Sequence, residues 1–128
     1  MKTEVAAAVE ELKRQFSDAS IVATEDGQGG AHVVVEPVLL SARFTPSKTW
    51  LGFHIAPSYP YADIYPVFIG DEVTRADGKL FEAPITRGHN FQGRSAIQIS
   101  RRNGAAQAGF QKATAKILKV LYYLEQIP

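Results

Sequence analysis

Cysteine is absent from this chain. Without a thiol there is no structural disulfide, no thiolate zinc site, no redox dithiol and no cysteine nucleophile. An excess of either charge is lacking too: 14 Lys and Arg stand against 13 Asp and Glu, a formal net charge of +1. So even a balance supplies no global field for a phosphate backbone, and nucleic acid is not an expected partner. No apolar run approaches the roughly 20 residues that span a bilayer. The opening Met1-Lys2-Thr3-Glu4 lacks the basic-then-apolar pattern of a signal peptide. A cytoplasmic protein with no membrane partner is therefore the expectation. Internal repeats and low-complexity tracts are also missing. What is present, 128 residues with 45% hydrophobic content, suits one domain covering 1–128 around a single core.

Val5, Val9, Leu12 and Phe16 recur at helical spacing, with Glu4, Glu10, Glu11, Lys13 and Arg14 on the other face. Acidic residues early and basic ones late match the helix dipole, and Ser17-Asp18 is the predicted stop. Ser20 to Thr24 is β-prone, and Asp26-Gly27-Gln28-Gly29-Gly30 has the glycines of a hairpin turn into a second strand at about Ala31 to Val35. Pro37 cannot donate to a ladder, which predicts an edge or a bulge there. Trp50 to Ala56 and Tyr65 to Ile69 are the third and fourth predicted strands, separated by the corner Pro57-Ser58-Tyr59-Pro60-Tyr61. From Gly70 to Arg102 no period holds, and a long irregular loop is expected. The close is helical: Phe110, Ala113, Ile117, Val120, Leu121 and Leu124 form one stripe, with Lys112, Lys116 and Lys119 opposite and Asn103 or Gly104 near the start. The prediction is an α+β fold: helix, four-stranded antiparallel meander, long irregular loop, helix.

That order resembles the ubiquitin-conjugating (UBC) fold. The residues that carry the likeness are the corner Pro57-Ser58-Tyr59-Pro60 with Pro66, and His89-Asn90-Phe91 in the loop. In the family these positions hold a proline- and tyrosine-rich corner and a His-Pro-Asn tripeptide. Here one residue is missing from the corner, and no proline separates His89 from Asn90. The family's cysteine follows a glycine in a G-x-x-C-L pattern, and Gly93-Arg94-Ser95-Ala96-Ile97 puts Ala96 at that place. The chain is most similar in this respect to divergent bacterial UBC-like proteins encoded beside an activating enzyme and a ubiquitin-like protein. The resemblance implies a conjugating component that carries the modifier as an oxyester, with those two proteins as partners. The alternative it leaves is a non-catalytic adaptor that grips either one.

The chemistry of acyl transfer needs an acceptor, oxyanion donors and a base. Ser95 and Ser100 are the hydroxyls nearest the family's cysteine position. Asn90 matches the family's oxyanion-supporting asparagine, or else bonds its own backbone in a glycine-flanked turn. His89 is either a general base or a structural histidine. Arg87, Arg94, Arg101 and Arg102 stand with no acidic residue between Thr86 and Arg102, suited to a carboxylate, a phosphate or an acidic partner surface, or to a solvated face. His32 and His54 lie isolated on apolar strands and no histidine pair has ligand spacing, so no metal is expected. The glycines of 27–30 precede neither Lys-Ser/Thr nor a helix, so no nucleotide cofactor is expected.

Overall fold

The computed structural model describes residues 1–102 and 111–128. Phe110, Asn103 and Gly104, predicted for the last helix and its start, lie outside the described residues. The elements run α1 (Thr3–Gln15), β1 (Ser20–Glu25), β2 (Ala31–Leu39), β3 (Phe44–Thr45), β4 (Lys48–Ile55), β5 (Val67–Gly70), β6 (Thr74–Arg75), β7 (Ile85–Phe91), β8 (Arg94–Ile99) and α2 (Ala113–Leu124). The main sheet has six strands in the order β1-β2-β4-β5-β8-β7, and β3 with β6 makes a separate two-stranded sheet. Every pairing is antiparallel. The fold is α+β, with a helix before the sheet and one after it. Among the described residues no helix is long and apolar enough to cross a membrane.

Alternation divides the sheet residues between two faces. Val33 and Val35, Leu51, Phe53 and Ile55, Val67 and Ile69, and Ile97 and Ile99 join Val5 and Leu12 of α1 and Ile117, Val120 and Leu124 of α2 in the main core. Their neighbours Val34, Trp50, Phe68 and Ala96 point the other way and gather with Phe91 in a second cluster. The helices thus cover one face and leave the other open to whatever the chain itself folds over it. The β2 ladder slips between Val35 and Val38, so Pro37 sits in the bulge that its missing N–H demands, in a strand interior to the sheet.

The predicted loop from Gly70 to Arg102 is corrected by the hairpin β7–β8, which extends the four-stranded meander to six strands. β7 is an edge strand, and only Ile85 and Phe91 in it are buried. Its register breaks between Thr86 and His89, where Gly88 takes φ +87°. A strand that is polar, bulged and mostly exposed leaves no period-2 signal to read.

The last helix corrects a second expectation. Lys116 is buried on the inward side of α2 with its side chain 3% exposed, and its ammonium lies 3.2 Å from the Asp63 carboxylate of the corner. The corner is tied twice more, to the first residue of α2 and to the residues just before it: the Tyr59 hydroxyl accepts from Ala113 N–H at 3.1 Å and Pro60 O from Gln111 N–H at 2.7 Å. At the other end of α2 no basic residue stands in the last turn. Arg43, from the segment between β2 and β3, supplies that charge instead by donating to the carbonyls of Leu124, Glu125 and Ile127. These carbonyls have no partner within the helix and carry its negative dipole end. Arg43→Ala is expected to lower stability by about 1–2 kcal/mol, read as an earlier urea midpoint at unchanged m.

Candidate functional site

The hairpin β7–β8 turns at Gln92-Gly93, both at positive φ (+50° and +80°), the geometry of a two-residue primed turn. The Asn90 side-chain oxygen accepts from Gly93 N–H at 3.1 Å and closes that turn. Of its two predicted roles Asn90 is seen in the turn-forming one. His89 Nε2 shares a hydrogen bond of 2.8 Å with the Thr86 hydroxyl, and its ring lies 6.4 Å from that of Phe68. Register pairs His89 with Ala96 and Asn90 with Ser95. Cross-strand partners share a face and consecutive residues do not. Ser95 therefore stands beside Asn90, and His89 is on the opposite face. Ser100, beyond the far end of β8, accepts from the Gln98 amide at 2.7 Å.

The four arginines do not form one patch. Arg87 bends back to the carbonyls of Asp71 (2.8 Å) and Val73 (2.6 Å). Arg101 lies over the Tyr123 ring at 4.4 Å and Arg102 over Tyr65 at 3.9 Å, both past the end of β8. Arg94 lies at the hairpin tip, over the Trp50 ring at 5.3 Å and 3.1 Å from Glu36 of β2. Two strands, β5 and β4, separate β8 from β2, so the tip reaches across the open face.

Phe91 anchors that reach. Its ring sits against Phe68 (5.1 Å between centroids), Trp50 (6.2 Å) and His32 (6.0 Å). A Cβ on Gly52 would fall 2.6 Å from the ring, so the absence of a side chain at position 52 is what admits it. Sequence reasoning missed this contact, although a lone glycine within the strand Trp50–Ala56 is a known mark of close approach.

The histidines predicted to be isolated are in fact partners. Register sets His32 directly opposite His54, and the rings stack with centroids 4.5 Å apart. His54 Nε2 lies 2.7 Å from the Asp26 carboxylate. That bond, with those from the backbone N–H groups of Gln28 and Gly30, lowers the Asp26 pKa to about 2. His32 is pulled below the usual imidazole range, first by burial and then by the nearby His54. Its Nδ1 is buried with no hydrogen-bond partner. The signal was available: both histidines alternate with core residues, Ala31 and Val33 for one, Phe53 and Ile55 for the other, so both had to face away from the helices.

Between β1 and the hairpin tip the open face holds a cavity of about 250 Å³, lined by Ser20, Val22, Thr24, His32, Val34 and Arg94 among others. A larger one, about 530 Å³, lies among Arg75, Lys79, Glu82, Ile85 and Tyr123 and contains none of the predicted site residues. Among the described residues no three His, Asp or Glu are grouped to hold a metal ion. No family model, curated protein or solved structure matches the chain.

Proposed function

We propose that the chain is a UBC-like adaptor of a ubiquitin-like modification pathway, one that grips the ubiquitin-like protein or its activating enzyme and does not carry the modifier. The observation that favours adaptor over carrier is the hairpin register: Ser95 and His89 are on opposite faces, so the one imidazole in the hairpin is not placed to deprotonate the one serine in it. With no cysteine in the chain, no other activated nucleophile stands at the family's acceptor position. The helix, the antiparallel sheet, the proline-tyrosine corner after β4 and the closing helix are the parts of the resemblance that support a UBC-like reading. The carrier reading keeps one observation in its favour, the exposed pair Asn90 and Ser95 side by side at the hairpin tip.

The deciding experiment incubates the protein with a bacterial activating enzyme, its ubiquitin-like protein and ATP. Intact mass is read before and after hydroxylamine, and binding by calorimetry. The expected result is binding to one partner with no covalent adduct. A hydroxylamine-sensitive adduct mapped to Ser95 or Ser100 would reinstate the oxyester carrier, and absence of both adduct and binding would overturn the pathway assignment.

A further inference from the structure

We propose that the stacked pair His32–His54 is an acid-sensitive latch: protonation of His32 releases the tip of the β7–β8 hairpin, Phe91 to Arg94, from the open sheet face and widens the cavity along β1, of which Gln92 and Arg94 form one wall. The latch stands on the open face alone and does not depend on the pathway proposed above.

The imidazole of His32 is held on three sides. His54 of β4 covers one ring face at 4.5 Å, Phe91 of β7 meets it edge-on at 6.0 Å, and Thr24 of β1 is its partner on the outer side. The neutral ring fits this setting as a flat, largely apolar disc. The protonated ring does not, because an imidazolium must carry an N–H at Nδ1, an atom that is buried and has no acceptor. A cation there would also face the ring of His54 directly, and a second imidazolium at that distance is repelled.

The surrounding charges do not cancel this. Asp26, from the β1–β2 turn, attracts a proton on His32 but is bonded to His54 at 2.7 Å. Glu36, on β2 itself, is held by Arg94 of β8 at 3.1 Å. His89 of β7 is turned to Phe68 and Thr86, and β1 brings only the neutral Ser20, Val22 and Thr24 to this face. The β5–β8 ladder fixes the hairpin as far as Ala96, and beyond it the tip is held down by the Phe91 ring on His32, Trp50, Phe68 and Gly52, with the Arg94 contacts beside it. Disturbing His32 therefore acts on the latch at its centre.

The sign follows from linkage. The folded, latched form lowers the His32 pKa, so the open form binds the proton more readily. The stabilisation that neutral His32 gives to closure is fully present above the ordinary imidazole value of about 6.5 and is lost progressively as pH falls below it towards the lower folded value.

The single tryptophan, Trp50, is the natural reporter, being 6% exposed beneath Phe91 and Arg94. Its emission is recorded from pH 8 to pH 5 alongside far-UV circular dichroism, on the wild-type protein and on His32→Gln, His54→Gln and His89→Gln. The expected result is a reversible red shift below about pH 6.5 at constant far-UV signal, retained in His89→Gln and lost in His32→Gln. Carbon-bound proton shifts of the three histidines in the wild-type protein provide a check that needs no variant: the His32 titration must coincide with the emission change. Flat emission, a response that survives in His32→Gln, a His32 midpoint apart from the emission midpoint, or parallel loss of far-UV signal would each overturn the latch.

Discussion

Replacing Asp63 by alanine is expected to destabilise the protein by roughly 3–5 kcal/mol, a large share of the 5–15 kcal/mol that typically separates folded from unfolded chains. The change leaves the Lys116 ammonium in place, with its side chain 3% exposed and the Arg101 carbonyl at 2.7 Å among its remaining partners. Burial is the main influence on Lys116 and pushes its pKa below the ordinary lysine value, while the hydrogen bond that its ammonium donates to Asp63 acts in the opposite direction. Removing the carboxylate removes the compensation and keeps the penalty. Replacing both residues, Asp63→Leu with Lys116→Met, discards the penalty as well, so the double variant is expected to be more stable than Asp63→Ala. Urea midpoints of the two single variants and the double one measure the coupling. If Asp63→Ala shifts stability by less than about 1 kcal/mol, the pair behaves as an exposed one and the corner is held to α2 by the Tyr59 and Pro60 bonds alone.

Phe91→Ala is expected to cost about 3 kcal/mol and to move Trp50 emission to the red at every pH. The ring is 6% exposed and touches three other aromatic rings, and its removal leaves the backbone of Gly52 facing an empty space. No neighbouring side chain is attached at position 52 to fill it, so relaxation is limited and the cavity term applies nearly in full. Thermal or urea unfolding gives the first quantity and steady-state fluorescence the second. Unaltered emission would mean that Arg94, in its contact with Trp50 and Glu36, holds the hairpin without the ring.

Local physics made much of the fold legible. Val5, Val9 and Leu12 mark α1, the glycines of 27–30 mark the β1–β2 turn, and Pro37 marks a bulge, because each signal is carried by neighbours in the chain. The hairpin β7–β8 was not legible: the buried residues of β7 are few, and the turn rests on Gln92 at positive φ, a conformation that the residue type does not announce. Lys116 looked like one of three solvated lysines, and only the corner folding back places Asp63 against it. Pairing of His32 with His54 depends on the register of β2 against β4, which alternation alone does not set. Of the candidate site, the residues were identified but not their arrangement. His89, Asn90, Arg94 and Ser95 do gather towards the tip of one hairpin, whereas Arg87, farther back on β7, and Arg101 and Arg102, past the end of β8, are turned to Asp71, Tyr123 and Tyr65.

The strand order also constrains how the sheet is assembled. β5 lies against β8 and not against β7, the next strand of the main sheet in the chain, so the half-sheet β1-β2-β4-β5 can grow by successive neighbours but cannot recruit β7 directly. A short-range pairing through the Gln92-Gly93 turn comes within reach in about 1–10 μs, whereas joining β5 to β8 must first close the long segment between them. The hairpin is therefore expected to dock as a preformed unit, with this long-range closure limiting the folding rate.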